Sequence, residues 1–197
     1  MNIYLVRHGK IQGAEVRRFI GSTDVPLSDE GVRQGRLLRD HLAHIRFDRV
    51  YSSDMTRTLT FACIISNLPE NRIHTLKELC EIDLGTWEGK TFKEIQTCFP
   101  EQWRRRGEEM DTFRPPRGES FSDLAARVIP CFENITSGAH SNILIVGHAG
   151  VNRVILSHIL KTDRKNLFSI PQAYAALTVI TRSRKNEYTI HPSMFPE

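Results

Sequence analysis

Apolar and polar residues alternate along this chain in two different rhythms. Short apolar runs rich in β-branched and aromatic residues predict strands, whereas apolar positions three and four residues apart predict amphipathic helices. The strand pattern covers residues 2–7, 48–53, 142–147, 175–182 and 187–190. The helix pattern runs from Ser28 to about residue 44, from Asp54 to about 67, from Thr91 to about 107, from Ser120 onward and over 150–161.

The order of these elements predicts an α/β fold. Strands that alternate with helices favour a three-layer αβα sandwich around a mainly parallel central sheet. The last two strands are expected to pair as a hairpin around residues 183–186. Pro100 should interrupt one helix and Pro130 should kink another, because proline lacks a backbone N–H. A single domain over residues 1–197 is the expected organisation.

Composition narrows the class of protein. Of the 197 residues, 40% are hydrophobic and 25% are charged, which is typical of a globular domain. The net charge of +4 is mild, so it suits anionic small molecules without requiring nucleic acid. No apolar run approaches the roughly 20 residues of a membrane span. No signal peptide is evident, so we expect a cytoplasmic protein whose four cysteines are reduced.

Two histidines stand at the ends of predicted strands. His8 follows Arg7 and precedes Gly9, and His148 follows a strongly apolar run. In open α/β sheets, ligands bind outside the carboxyl ends of the strands, so both imidazoles can share one crevice. Arg7 would favour an anion there, because its planar guanidinium matches phosphate and carboxylate.

A second arginine lies at another strand end. Arg57 falls in the first turn of the helix predicted to start at Asp54. Backbone N–H groups and a positive dipole gather in that turn and favour a bound anion. The alternative is a local salt bridge between Arg57 and Asp54.

An acidic segment supplies candidate proton donors. Glu81, Asp83 and Glu88 lie within eight residues, and one of them could act as a general acid. An acidic surface loop is the alternative. Residues 85–91 read GTWEGKT, but only three residues separate the glycines, where the nucleotide-binding P-loop has four. Nucleoside triphosphate binding by that route is therefore excluded.

Histidine can also bind metals, but the spacing argues against this use. His8 and His148 have no second histidine two or four residues away. His41 and His44 could share a helix face, but their neighbours are those of a solvated surface. We therefore predict neither a metal nor a cofactor.

Five segments in this order resemble the histidine phosphatase superfamily, in its phosphoglycerate mutase-like branch. The resemblance extends from Ile3 to about Val179. Each segment alone is a weak signal, whereas all five in register are specific. The segments are Val6-Arg7-His8-Gly9, residues 21–28 (GSTDVPLS), 52–58 (SSDMTRT), 81–89 (EIDLGTWEG) and Val146-Gly147-His148.

The resemblance implies a role for each matching residue. His8 would attack phosphorus and become a phosphohistidine, a choice between the two histidines that their positions alone do not make. Arg7, Arg57 and a protonated His148 would bind the phosphoryl oxygens, and His8 would contact the same phosphoryl group. Glu81 would protonate the leaving oxygen and later act as base. The ring nitrogen of His8 that does not attack phosphorus is expected to donate to a backbone carbonyl, such as that of Gly9.

Within the superfamily, the chain most resembles the small phosphatases, especially the alpha-ribazole phosphatases of cobalamin biosynthesis. Ile20 and Leu84 stand where mutases have threonine and tyrosine, and the middle segment is shorter than theirs. A broad-specificity phosphatase, a phosphoglycerate mutase and a non-catalytic phosphate-binding module remain open alternatives.

The expected partner is a small phosphorylated metabolite, with neither nucleic acid nor membrane. Residues 80–118 are predicted to form a cap-like insertion over the site. The oligomeric state stays open, with a homodimer as one option. Candidate substrate contacts are Lys10, Gln12, Gly21, Ser22, Arg104, Arg105 and Arg106.

Overall fold

A central sheet of six strands organises the protein, which we describe from a computed structural model over residues 1–191. The strand order is β3-β2-β4-β1-β5-β6. The first four strands run parallel to one another, and β5 and β6 run antiparallel as the predicted hairpin. The strands are β1 (Asn2–Arg7), β2 (Arg49–Ser52), β3 (His74–Thr75), β4 (Asn142–Gly147), β5 (Leu177–Arg182) and β6 (Tyr188–His191).

Helices cover both faces of this sheet and form the predicted sandwich. Side chains alternate along β1, so that Ile3 and Leu5 join one core cluster and Tyr4 and Val6 join the other. The first cluster includes α5 and α6, and the second includes α1 and α2. The helices are α1 (Asp29–His41), α2 (Thr56–Ser66), α3 (Phe92–Cys98), α4 (Pro100–Glu108), α5 (Phe121–Ser137) and α6 (Ala149–Leu160).

A smaller apolar cluster lies apart from the sheet. It joins Phe19 of the loop after β1, Trp87, Ile95 of α3 and Phe113 after α4. Because α3 and α4 are anchored by this cluster, they add a separate layer next to the carboxyl ends of the strands. Across residues 1–191, no helix combines the length and hydropathy needed to cross a bilayer.

Pro130 lies inside α5, which continues from Phe121 to Ser137 as one helix. The structure differs from the predicted elements in two places. Asp54 does not cap α2; Asp24 accepts hydrogen bonds from the Thr56 N–H and hydroxyl instead. The two-residue strand β3 was too short to produce an alternating pattern.

Candidate active site

The register between β1 and β4 brings His8 and His148 together. Arg7 pairs with Gly147 across these strands, and the His8 N–H donates to the Gly147 carbonyl at 3.1 Å. The residues that follow the two strands are therefore neighbours. Their imidazole rings lie 5.2 Å apart, and the residues are only 5% and 0% exposed.

His8 has one ring nitrogen engaged and one available. Its Nδ1 lies 2.8 Å from the Gly9 carbonyl, as predicted. Because a carbonyl only accepts, Nδ1 carries the proton and Nε2 keeps its lone pair. Burial, with the nearby charges of Arg7 and Arg57, holds the pKa of His8 well below its usual value. The ring is therefore neutral, as a nitrogen nucleophile must be.

His148 has a different set of partners. The Arg57 Nε donates to its Nδ1 at 3.3 Å, which leaves the proton on Nε2, 2.8 Å from the Ser53 hydroxyl. Burial, together with His8 and Arg57, also holds the pKa of His148 well below its usual value. The ring is therefore neutral here, whereas the predicted protonated form belongs to the ring beside a phosphoryl group and stays a prediction.

Arg57 is almost fully buried and tightly held. Its two terminal nitrogens donate to the Gly21 and Thr23 carbonyls at 2.6 and 2.7 Å, and Asp24 lies 3.8 Å away. The alternative of a salt bridge to Asp54 is wrong, because Asp54 accepts from the Cys80 thiol instead. The guanidinium is thus fixed beside the imidazole pair.

Arg7 approaches the same point from the end of β1. One terminal nitrogen donates to the Gln172 carbonyl at 2.5 Å, and the Tyr174 ring lies 4.0 Å from its guanidinium carbon. Its Nε is buried without a hydrogen-bond partner. A buried donor of this kind is costly unless something accepts from it. An oxyanion would supply that acceptor.

Glu81 belongs to the loop before α3, and its side chain lies against the N-terminus of α6. Its carboxylate accepts from the Gly150 and Ile82 backbone N–H groups, both at 3.0 Å. A Cβ atom at position 150 would overlap Glu81 Oε1, so a larger residue there would displace this carboxylate. Arg127 fixes the segment from below by donating to the Glu81 carbonyl.

A cavity of about 200 Å³ opens above Arg7 and Glu81. Its walls are mainly apolar and include several aromatic rings, with Arg106 from α4 and Arg153 from α6 among them. Both guanidiniums contact the Phe168 ring, with their carbons 5.4 and 4.8 Å from its centroid. The aromatic residues that line the cavity are Phe19, Phe92, Phe113, Phe121 and Phe168.

The predicted substrate contacts are dispersed. Lys10 pairs with Glu15, and Gln12 is exposed. Gly21 and Ser22 donate to the Glu88 carboxylate. A Cβ at position 21 would overlap the Ile82 carbonyl, so Gly21 serves packing. Two of the three clustered arginines, Arg104 and Arg105, are exposed and pair with nearby glutamates in and just after α4, whereas Arg106 lines the cavity.

Several residues of the site carried little or no sequence signal. Ser53 directly follows β2, so its position at a strand end could have indicated it. Arg153 lies one turn after His148 in a segment that reads as an ordinary apolar helix. Gln172 and Tyr174 lie in an irregular connection before β5, where no periodic pattern indicates contacts with Arg7.

The fold and this cluster of two histidines and two arginines agree with comparisons to known proteins. Residues 3–191 match the model of the histidine phosphatase superfamily, branch 1. The chain therefore belongs to this superfamily, as the motifs indicated.

Two curated relatives are phosphatases. Phosphoserine phosphatase 1 of Hydrogenobacter thermophilus is 29% identical, over 91% of this chain and 86% of the relative. The adenosylcobalamin/alpha-ribazole phosphatase of Salmonella typhimurium is 27% identical, over 85% and 84%. A solved structure, Bacillus stearothermophilus YhfR, superposes with a TM-score of 0.86 at 28% identity, covering 96% of this chain and 94% of that one.

Proposed function

We propose that this protein is a phosphomonoesterase that acts through a phosphohistidine on His8. The observation that carries the proposal is the neutral His8 ring, with Nε2 free, beside two fixed arginines. Phosphoryl transfer needs positioning and compensation of charge on the equatorial oxygens more than covalent chemistry from the protein. Arg7, Arg57 and His148 surround the point where those oxygens would lie.

In the first step, the phosphate dianion would bind to Arg7, Arg57 and His148. A dianion beside His148 favours its protonated form, with the added proton on Nδ1. Because Nδ1 then becomes a donor, the Arg57 Nε–H that donates to it would turn to a phosphoryl oxygen instead. The His8 Nε2 lone pair then forms the N–P bond as the bond from phosphorus to the leaving oxygen breaks. Glu81, entering this step as the carboxylic acid, gives its proton to the leaving oxygen.

In the second step, water would attack the phosphohistidine. Glu81, now a carboxylate, accepts a proton from the water as the new O–P bond forms. The N–P bond breaks, its electron pair returns to His8, and inorganic phosphate leaves. All the groups in this cycle are side chains of the protein, so the proposal includes neither metal nor cofactor.

The cavity above Glu81 would hold the leaving group. We propose that residues 80–118, which include α3 and α4, form a cap over this cavity and belong to the same single domain as the sheet. Phe19, Phe92 and Phe113 suit a flat ring, which supports alpha-ribazole 5′-phosphate as one candidate substrate. This agrees with the name of the Salmonella relative.

A second class of substrate is favoured by Arg106 and Arg153. Within residues 1–191, neither guanidinium forms an ion pair with a carboxylate, although both are half-buried. Uncompensated buried cations attract anions. A metabolite with a second acidic group would fit, as the name phosphoserine phosphatase implies for one relative.

The test is hydrolysis of an aryl phosphate with EDTA present, followed by trapping of the acid-labile phosphoenzyme. His8→Ala should abolish both signals, whereas the exposed His44→Ala should change neither. Hydrolysis that persists at the parent rate in His8→Ala would overturn the proposal. Parallel assays with alpha-ribazole phosphate, phosphoserine and 3-phosphoglycerate then separate the substrate classes. Bisphosphate-stimulated interconversion of phosphoglycerates would instead identify a mutase.

A further inference from the structure

The Glu88 carboxylate organises a turn of the loop after β1. It accepts from three consecutive backbone N–H groups, those of Gly21, Ser22 and Thr23, at 3.2, 2.8 and 3.2 Å. It also accepts from the Thr23 hydroxyl at 2.6 Å and from the Leu84 N–H at 3.1 Å. Consecutive N–H groups that converge in this way form an anion-binding nest, here filled by a side chain of the same protein.

The opposite side of the same turn holds the phosphate-site arginine. The Gly21 and Thr23 carbonyls, which belong to the residues bound by Glu88, accept from Arg57 at 2.6 and 2.7 Å. The turn is therefore a bridge with a carboxylate on its N–H side and a guanidinium on its carbonyl side. The Glu88 carboxylate is occupied by these backbone and hydroxyl donors of the protein, so its effect on the site would pass through the turn.

We propose that Glu88 is a positioning residue, which sets the location of the Arg57 guanidinium, and thereby phosphate affinity, through the 21–23 turn. This rests on the proposed function, in which Arg57 binds the phosphoryl group. Gly21 supports the inference, because a Cβ there would overlap the Ile82 carbonyl and displace the turn. Because the turn packs this closely, a shift of the turn would be passed on to Arg57 and not absorbed locally.

The charge of Glu88 matters as well as its shape. Burial raises the pKa of Glu88, but hydrogen bonds from Thr23, Gly21 and Leu84 outweigh burial and lower it overall. The group is therefore a carboxylate, with two oxygens that only accept. Glu88→Gln keeps the size but replaces one acceptor with an NH₂ group, which faces N–H donors and cannot accept from them.

The experiment measures binding of inorganic phosphate by calorimetry, together with kcat and KM for an aryl phosphate. Glu88→Gln should weaken phosphate binding about tenfold, as expected for one poorly placed charge-assisted contact. The control is Glu94→Gln on the exposed side of α3, where the carboxylate also caps a backbone N–H. That variant should bind phosphate within about twofold of the parent.

A double-mutant cycle with Arg57→Lys separates positioning from general damage. If Glu88 acts through Arg57, Glu88→Gln should add less than about threefold in the Arg57→Lys background. The proposal would be overturned if Glu88→Gln weakened phosphate binding by the same factor in the parent and in Arg57→Lys. Unchanged phosphate binding in Glu88→Gln would overturn it as well.

Two further measurements keep the test decisive. Should Glu88→Gln fail to fold, Thr23→Val removes a single hydroxyl contact to the same carboxylate and should weaken phosphate binding in the same direction. Unchanged binding in that folded variant would count against the proposal. Should Arg57→Lys itself leave phosphate binding unchanged, the proposed phosphate site fails, which is a separate outcome from a failure of Glu88 alone.

Discussion

Acidification should destabilise this protein through its two buried histidines. An unfolded histidine takes up a proton near pH 6.5, whereas burial and neighbouring cations hold the pKa of His8 and of His148 well below that value in the fold. The unfolded state therefore binds more protons at mildly acidic pH. The contribution to stability is complete above about pH 6.5 and is lost as the pH falls.

The size of the loss follows from proton linkage. With both rings neutral in the fold throughout, lowering the pH from about 6 to about 5 costs about 1.2 kcal/mol for each histidine and about 2.4 kcal/mol for both. The loss is a large fraction of the stability of a typical domain, which is about 5–15 kcal/mol.

Urea unfolding at these two pH values, in phosphate-free buffer, measures the effect. His8→Asn and His148→Asn should each reduce the pH-dependent loss by about half, whatever they do to stability at neutral pH. The exposed His44→Ala serves as the control and should keep the loss of the parent. If both buried-site variants lose as much stability as the parent, the two rings are not neutral in the fold and the assignment of the nucleophile is refuted.

Three further variants test individual contacts. Gly150→Ala should displace the Glu81 carboxylate and lower kcat by at least about tenfold with little change in phosphate affinity, measured by steady-state kinetics and calorimetry. Ser53→Ala should leave the His148 Nε2–H without its acceptor and lower thermal stability by about 1–3 kcal/mol, measured by calorimetric unfolding. Asp24→Ala removes the cap of α2 and should cost about 1 kcal/mol in urea unfolding, whereas Asp54→Ala should cost less.

The sheet and its principal site residues were predictable because they depend on local patterns. The apolar run before His148 predicted a strand that ends at that residue, and the same holds for β1 and His8. Because parallel strands end at one edge, the meeting of the two rings followed from topology. The resemblance to the superfamily then distinguished the two histidines.

The charge of His148 and the contacts of Arg106 with the cavity were not predictable from local patterns. The neutral state of His148 depends on its complete burial beside two arginines, which no local pattern records. Arg104 and Arg105 were as plausible as Arg106 in the sequence. Only the direction of α4 determines that Arg106 faces the cavity while its neighbours pair with glutamates in and just after the helix.

The separation between the reaction centre and the cavity walls has an evolutionary consequence. Apart from Arg7, the residues that line the cavity belong to loops and helices and not to the central sheet. Substitutions there can accumulate without altering the strand register that sets the spacing of the two imidazoles. A lineage can therefore acquire new substrates by exchanging wall residues other than Arg7 and Glu81 while it inherits the proposed phosphoryl chemistry unchanged. Such divergence would produce relatives like the two phosphatases that carry different names and are 29% and 27% identical to this chain.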